Sequence, residues 1–421
     1  MGLSVLRAAS YAALALLDIG MARAQIITSQ YDNQRTGATL GEKTLTPQNV
    51  NVQQFGKLGT FKVDGAVYAQ PLFLPAVDVP GKGKHNVLFV ATEHDSVYAF
   101  DADRPGDPPL WRVSLLDKAK DESSVPARSV QCPFIRPEIG ITPTPVIDLK
   151  TGTLYVLARS MTGHVFAGSQ YFQHLHALAI TTGAEKFGGP KLITASVAGR
   201  GDGAANGQVG FDPLRENPRA ALLLVSGTLY LSWASSCDVG PYHGWLMAYS
   251  TETLEQKGVL NITPDGSEGG IWESDTGPAA DASGNIYVPT ANGTFSAASG
   301  GRDYGDSVLK LGLAGSSIEI RDYFTPYNQA QLSEAHRIGV RLNHGLTVDL
   351  LAFADRLDQN QKIAKAYKPP YLGIAAHDHA DLSVAAWASL ARCAYPRSST
   401  AANGPREVAA HRQTLPRRDH E

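Results

Sequence analysis

A short cassette recurs four times in this chain, and it constrains the fold more than any other feature. Its clearest copy runs Asn86-Val-Leu-Phe-Val-Ala-Thr92, a polar turn Glu93-His-Asp-Ser96, then Val97-Tyr-Ala-Phe-Asp-Ala-Asp103 and Leu110-Trp-Arg-Val-Ser-Leu115. Apolar residues alternate inside each run and turn formers separate the runs, the pattern of short antiparallel strands. Later copies read Thr153-Leu-Tyr-Val-Leu-Ala158 with Leu175-His-Ala-Leu-Ala-Ile180, Thr228-Leu-Tyr-Leu-Ser-Trp233 with Leu246-Met-Ala-Tyr-Ser250, and Asn285-Ile-Tyr-Val-Pro-Thr290 with Val308-Leu-Lys-Leu311. One such sheet cannot bury its faces alone, so stacked copies predict an all-β protein, a β-propeller of four-stranded blades.

The signature positions Ala99, Ala177, Ala248 and Lys310 are 78, 71 and 62 residues apart, against about 40 to 50 for a compact blade. Large insertions must therefore leave the blades, and Asp117 to Glu138, Thr194 to Asn217 and Phe295 to Asp306 are the three visible ones. Long loops on a rigid repeat are where binding usually sits. Phe55-Gly-Lys-Leu-Gly-Thr-Phe-Lys-Val63 reads as a closing strand completing the last blade. Composition agrees: 41 glycines, 25 prolines and 16 tyrosines suit a turn-dense β protein. The net charge of -3 offers no basic field, which disfavours nucleic acid and anionic membranes as partners.

Residues 1–24 read as an export signal. Arg7 supplies the positive start, Ala8 to Leu17 a short apolar run blemished only by Asp18 after it, and Ala22-Arg-Ala24 a cleavage site before Gln25. No other stretch approaches the roughly 20 apolar residues of a membrane span. The expected location is periplasmic or secreted. In that compartment Cys132 and Cys237, both in loops entering a cassette, are candidates for a disulfide tying neighbouring blades, with Cys393 left over; three free thiols are the alternative. The absence of Cys-x-x-Cys-His argues against a covalent c-type haem.

The text changes after about Leu332. Residues 333–421 hold 4 of the 41 glycines but 6 of the 12 histidines, with 9 arginines, and the cassette disappears. Leu346, Leu350, Phe353 and Leu357 fall at helical spacing, and periodicity fades from Pro396 onward. Two explanations stand, a small partly helical module or a shifted reading frame that yields a disordered tail. The abruptness of the break favours the second. On that reading the propeller, 25–332, is truncated, and His344, His377 and His379 are solvated rather than metal ligands.

Over residues 28 to 332 the chain resembles the quinoprotein β-propellers, whose repeat ends Ala-x-Asp-x-x-Thr-Gly-x-x-x-Trp. Ala177-Leu-Ala-Ile-Thr-Thr-Gly-Ala-Glu-Lys-Phe187 keeps that spacing with Ala179 for Asp and Phe187 for Trp, and Ala99-Phe-Asp101 to Trp111 keeps the residues over two more positions. Tyr31-Asp-Asn-Gln-Arg35, Leu45-Thr-Pro-Gln-Asn-Val50 and Gly65-Ala-Val-Tyr-Ala-Gln-Pro71 are similar to the opening of these proteins. The resemblance implies a ring of seven or eight blades, of which four to five are legible here. It implies pyrroloquinoline quinone and calcium as cofactors, a dehydrogenase activity, and a small alcohol or sugar as substrate.

Residue by residue, the resemblance implies Trp272 in Gly269-Gly-Ile-Trp-Glu-Ser274 as the aromatic floor of the quinone, and Asn292 in Thr290-Ala-Asn-Gly293 as a carbonyl ligand of the cation. Asp238 implies a carboxylate ligand, and Asp303 a general base that takes the alcohol proton. These roles are chemically coherent, since an aromatic face suits a planar quinone and calcium takes amide and carboxylate oxygens. The vicinal cysteines of alcohol-oxidising members are absent, with Ala91-Thr-Glu-His-Asp95 in their place, and His243 replaces an arginine. Propellers host many functions, so a secreted, non-catalytic binding or assembly scaffold competes with the enzyme, as does an inactive truncated relic.

Overall fold

The computed structural model describes residues 25–39, 42, 44–164 and 167–330. The export signal and the tail after 332 lie outside the described residues, as does Cys393.

Four antiparallel meanders follow one another along the chain. Blade one comprises Leu72–Val79, Gly83–Ala91, Ser96–Asp101 and Trp111–Ser114. Blade two comprises Val146–Asp148, Thr153–His164, Ala167–Ala179 and Lys191–Leu192. Leu223–Val225, Thr228–Ser235, Trp245–Ser250 and Gln256–Asn261 form blade three. Ala279–Ala280, Ile286–Pro289, Val308–Ala314 and Ser317–Phe324 form blade four. In each, every strand pairs with the next in sequence order, the blade topology of a β-propeller.

Strand register explains the repeated alanine. Ala99 lies opposite Phe89, Ala177 opposite Tyr155 and Ala248 opposite Tyr230. A methyl group across from each ring leaves room for the ring on the same sheet face. In the fourth copy Lys310 faces Tyr287, and its ammonium sits 6.0 Å from the ring centroid, so a cation replaces the missing small contact.

Apolar side chains collect between consecutive blades. Val87, Phe89 and Ala99 of blade one meet Leu154, Val156 and Leu178 of blade two. Tyr155, Leu175 and Ala177 meet Leu229, Leu231, Trp245 and Met247 of blade three, and Tyr230, Leu246 and Ala248 meet Ile286, Val288, Leu309 and Leu311 of blade four. Trp111 locks the first interface: its indole donates to the Ile180 carbonyl at 3.0 Å. Gly183 lies beneath that ring with φ +72°, and a Cβ there would come within 2.7 Å of Trp111. Gly183→Ala is therefore expected to cost about 1–3 kcal/mol through left-handed strain and overpacking; an unchanged urea midpoint would contradict this packing.

Residues 26–37 form a strap that crosses all four blades. Ile26 pairs with Phe73 of blade one, and the Ile27 carbonyl accepts from Ile147 N of blade two at 2.9 Å. Asn33 Nδ2 donates to the Leu224 carbonyl of blade three at 2.7 Å, and the Asn33 carbonyl accepts from Ala280 N of blade four at 2.7 Å. Arg35, fully buried with φ 57°, donates to the carbonyls of Ser29, Leu222 and Pro278 and to Thr28 Oγ1.

The insertions carry secondary structure of their own. Ser123–Pro126 adds a strand beside Thr153–His164, Ser196–Ala198 and Gln208–Gly210 make a hairpin, and Phe295 bridges to Tyr304. One expectation is corrected. Residues 55–63 form no strand; Phe61 and Val63 instead pack on Val90, Tyr98 and Phe100 of blade one, with the Phe61 and Phe100 rings 4.8 Å apart. Gly56 and Gly59 within this stretch give it little to pair with, whereas the two rings offer a large apolar contact.

Candidate functional site

A seam of buried polar side chains runs from blade one to blade four. It starts at the turn joining the second and third strands of blade one, where Glu93 and Asp95 are both fully buried. Glu93 Oε2 accepts from Gly140 N at 2.7 Å and Thr142 Oγ1 at 3.1 Å, and Asp95 Oδ2 accepts from Ser124 Oγ at 2.6 Å. The turn thus grips the loops entering blade two. Burial pushes the Glu93 carboxyl up to about 7 and the Asp95 carboxyl well above its ordinary value. His94 Nδ1 lies 2.8 Å from Glu138 Oε1 on the same turn.

Arg159 of blade two continues the seam. Fully buried, it donates to Asn217 Oδ1 at 3.1 Å and to the Pro213 and Leu214 carbonyls, and Asn217 passes the link to the Ser235 carbonyl of blade three. Beside Asn217, Glu216 accepts from Trp245 Nε1 and His243 N, and burial pushes it up to about 8. His243 has both ring nitrogens engaged, Nδ1 with Thr263 Oγ1 and Nε2 with the Asp202 carbonyl. It is a structural side chain.

At blades three and four the seam opens into the constellation of Trp272, Asn292 and Asp238. Cys237 and Asp238 follow the second strand of blade three in consecutive left-handed conformations, φ 57° and 53°. Each costs energy for a non-glycine residue, and each is held by a side-chain bond. Cys237 is joined to Cys132 of the blade-two insertion by a disulfide, S–S 2.03 Å. Asp238 Oδ1 accepts from the Tyr242 hydroxyl at 2.7 Å and lies 3.5 Å from Asn292 Nδ2. Burial and Asp238 together raise the Tyr242 phenol, which keeps it a donor.

Trp272 packs with Ala234, Tyr242 and Ala291, the Tyr242 ring meeting it edge-on at 6.3 Å. The Arg219 guanidinium lies over the indole, 5.5 Å from the ring centroid. Trp272 Nε1 is buried and has no hydrogen-bond partner among the described residues.

Asp303 does not join this group. Its Oδ1 accepts from Asp265 N at 2.9 Å and its Oδ2 from Ser296 Oγ at 2.8 Å, so one oxygen braces the loop between blades three and four and the other the insertion within blade four. Besides Asp238, the carboxylate that reaches Asn292 is Asp306, which accepts from the Asn292 backbone N–H at 3.0 Å. Sequence reasoning also missed Arg219 and Tyr242. Arg219 follows the Thr194 to Asn217 insertion, where there is no repeat periodicity, and its only signal was a cation just ahead of the apolar run 220–225.

Oxygen donors for a hard cation are present: Asp238 is exposed, and its Oδ2 and the Asn292 Oδ1 accept no hydrogen bond among the described residues. No group of three or more His, Cys, Asp or Glu side chains arranged for a metal occurs among the described residues. An indole, a guanidinium over it and these two oxygens are groups that suit a planar, acidic quinone with its cation.

The four sequential meanders and the apolar interfaces between them define a β-propeller. Among solved structures the chain is similar to a quinohemoprotein alcohol dehydrogenase of Pseudomonas putida HK5, at 16% identity and TM-score 0.45 over 72% of this chain and 40% of that one. It is similar to the enzyme of the same description from Comamonas testosteroni, at 15% and 0.43 over 72% and 41%. A europium-containing methanol dehydrogenase gives 13% and 0.46 over 72% and 50%. The chain therefore spans half or less of the length of these proteins. No family model and no curated protein matches it.

Proposed function

We propose that this chain is an exported quinoprotein-type propeller, periplasmic or secreted, that binds pyrroloquinoline quinone with calcium and oxidises a small alcohol or sugar. The supporting observation is the convergence of Trp272, Asp238 and Asn292 from two blades on one spot, with Tyr242 and Arg219 around them. In this reading Trp272 underlies the quinone, and Asp238 and Asn292 contribute oxygens to the calcium. The bound pair supplies a hydride acceptor and a Lewis acid. Tyr242 fixes the Asp238 carboxylate, and Asp306 fixes the Asn292 backbone.

A second reading, a non-catalytic binding platform, is favoured by one observation. Asp303, the base the resemblance implied, spends both oxygens on loop hydrogen bonds. Titration of the mature chain, residues 25–421, with pyrroloquinoline quinone and calcium chloride tests the first reading. The expected result is saturable, calcium-dependent binding, lost by at least about tenfold in Trp272→Ala because a stacked ring contact is worth about 0.5–1.5 kcal/mol beyond the area it buries. A folded chain that binds no quinone removes the quinoprotein reading. Calcium-dependent quinone binding without turnover of alcohols or sugars leaves the platform.

A further inference from the structure

A cleft of about 540 Å³ lies where the last strand of blade three, Gln256–Asn261, meets the last strand of blade four, Ser317–Phe324. It shares no residue with the constellation at Trp272. The hairpin strand Ser196–Ala198 adds a further side, and a space of this size matches a small-ligand pocket, typically about 300–1,000 Å³. Leu260, Ile318 and Ile320 from the blades, with Val197 from the hairpin, make the walls largely apolar. Arg302 ties the rim together. It donates from Nε and Nη2 to Asp265 Oδ2 at 3.0 and 2.8 Å, and from Nη2 to the Ala198 carbonyl at 3.2 Å.

One polar group in this lining lacks a counterpart. Asn261 is only 4% exposed, and its Oδ1 accepts from Thr263 N at 2.9 Å, which fixes the orientation of the carboxamide. Its Nδ2 is buried with no hydrogen-bond partner among the described residues. Buried donors in folded proteins are nearly always paired, and an unpaired one carries the cost of its lost hydration.

We infer that this cleft is a second ligand site, and that it takes a small uncharged molecule with an apolar body and a carbonyl oxygen. The body covers Leu260, Ile318 and Ile320, and the carbonyl accepts the Asn261 Nδ2–H that the protein leaves unmatched. Charge decides against an anion: the Arg302 guanidinium is already paired with Asp265, and the exposed carboxylate of Glu319 repels a second one. A hydrocarbon of the same shape covers the walls but leaves the amide unpaired. The site owes nothing to the quinone reading and stands if that reading falls.

Ligand-observed NMR titration of the mature chain, residues 25–421, with three probes of similar shape tests it. The ketone 4-phenylbutan-2-one carries the carbonyl, 3-phenylpropanoate the carboxylate, and butylbenzene neither. The wild-type chain is expected to bind the ketone saturably and each of the others at least about fivefold more weakly, the value of one hydrogen bond. Asn261→Asp keeps an acceptor for Thr263 N but removes the donor, and is expected to weaken the ketone about tenfold. Val197→Trp fills the cleft from the half-buried hairpin and is expected to abolish binding, which keeps the test decisive should Asn261→Asp fail to fold. Glu319→Gln is expected to narrow the gap between ketone and carboxylate, and Trp272→Ala to change nothing. A wild-type chain that binds no ketone, or one whose ketone binding survives both Asn261→Asp and Val197→Trp, would overturn the inference. So would ketone binding lost in Trp272→Ala, or a carboxylate bound as tightly as the ketone.

Discussion

Arg35→Met will lower the stability of the chain by on the order of 3–5 kcal/mol, with the urea midpoint as the readout. The side chain is fully buried and donates to three backbone carbonyls and one hydroxyl, and these acceptors belong to the strap itself, to blade three and to the start of blade four. Methionine fills similar space but leaves those carbonyls without donors, at about 1–3 kcal/mol for each buried one. It also removes the cation that favours the charge of the fully buried Glu273. Arg35→Lys keeps the charge but not the fork, and is expected to recover part of the loss. A shift below about 1 kcal/mol for Arg35→Met would mean that the blades hold together through their apolar interfaces alone and that the strap only decorates them.

The blades were legible because their physics repeats. An alanine across from an aromatic ring recurs at Phe89, Tyr155 and Tyr230, and even the exception, Lys310 against Tyr287, keeps the aromatic half. Alternation and turn residues then set strand order without further information. The strap was not legible in this way. Tyr31-Asp-Asn-Gln-Arg35 stood out only through a family resemblance, and its action is non-local, since Arg35 finds its acceptors in residues 187 and 243 positions away. The segment 55–63 misled for the opposite reason: its apolar residues suit a strand, but Phe61 gains more against Phe100 than in a ladder.

At the site the divide falls between residues marked by a family motif and residues in turns. Trp272 follows the short strand Glu268–Gly270, and Asn292 lies in its pairing partner Ala291–Gly293; Asn292 reaches Asp238, while Trp272 packs on Tyr242, which donates to the same carboxylate. Asp303 and Asp306 share one turn three residues apart, with no periodicity to say which of them meets Asn292. Geometry sends Asp306 there and turns Asp303 toward Asp265 and Ser296. Glu216 comes from the insertion before blade three and Arg219 from the two-residue step beyond it, and nothing local distinguishes them from solvated loop charges.

The same buried seam makes stability fall as pH rises from about 5 to about 8. Burial pushes Glu93 up to about 7, and Glu216 and Glu273 up to about 8, from ordinary values of 4.5, and Asp95 also rises well above its ordinary value. In the unfolded chain Glu93, Glu216 and Glu273 release their protons near pH 4.5, and in the folded chain they hold them until pH 7–8. Between those limits the folded state binds more protons, so raising the pH favours unfolding, and the loss is complete once the folded groups have ionised.

For Glu93 alone the shift corresponds to on the order of 3 kcal/mol at 1.36 kcal/mol per unit. His85, raised by its hydrogen bond to Asp101, acts in the same direction because its contribution is lost as pH climbs through its folded value. His174 and His243, lowered by burial, oppose it below about pH 6.5, since they resist protonation while folded. Asp64, Asp101, Asp265 and Asp281 are all lowered, and their contributions are lost only in stronger acid, below the ordinary 3.8. The carboxyls outweigh the two histidines, so maximum stability is expected near pH 5. Urea midpoints at pH 5.5 and 8 measure the slope, and Glu93→Gln and Glu216→Gln should each flatten it while leaving the hydrogen bonds of Gly140 N and Trp245 Nε1 an amide oxygen to find. A chain that grows more stable from pH 5.5 to 8 would show these carboxyls ionised in place, with Arg159 and Arg35 carrying their charge across the blades.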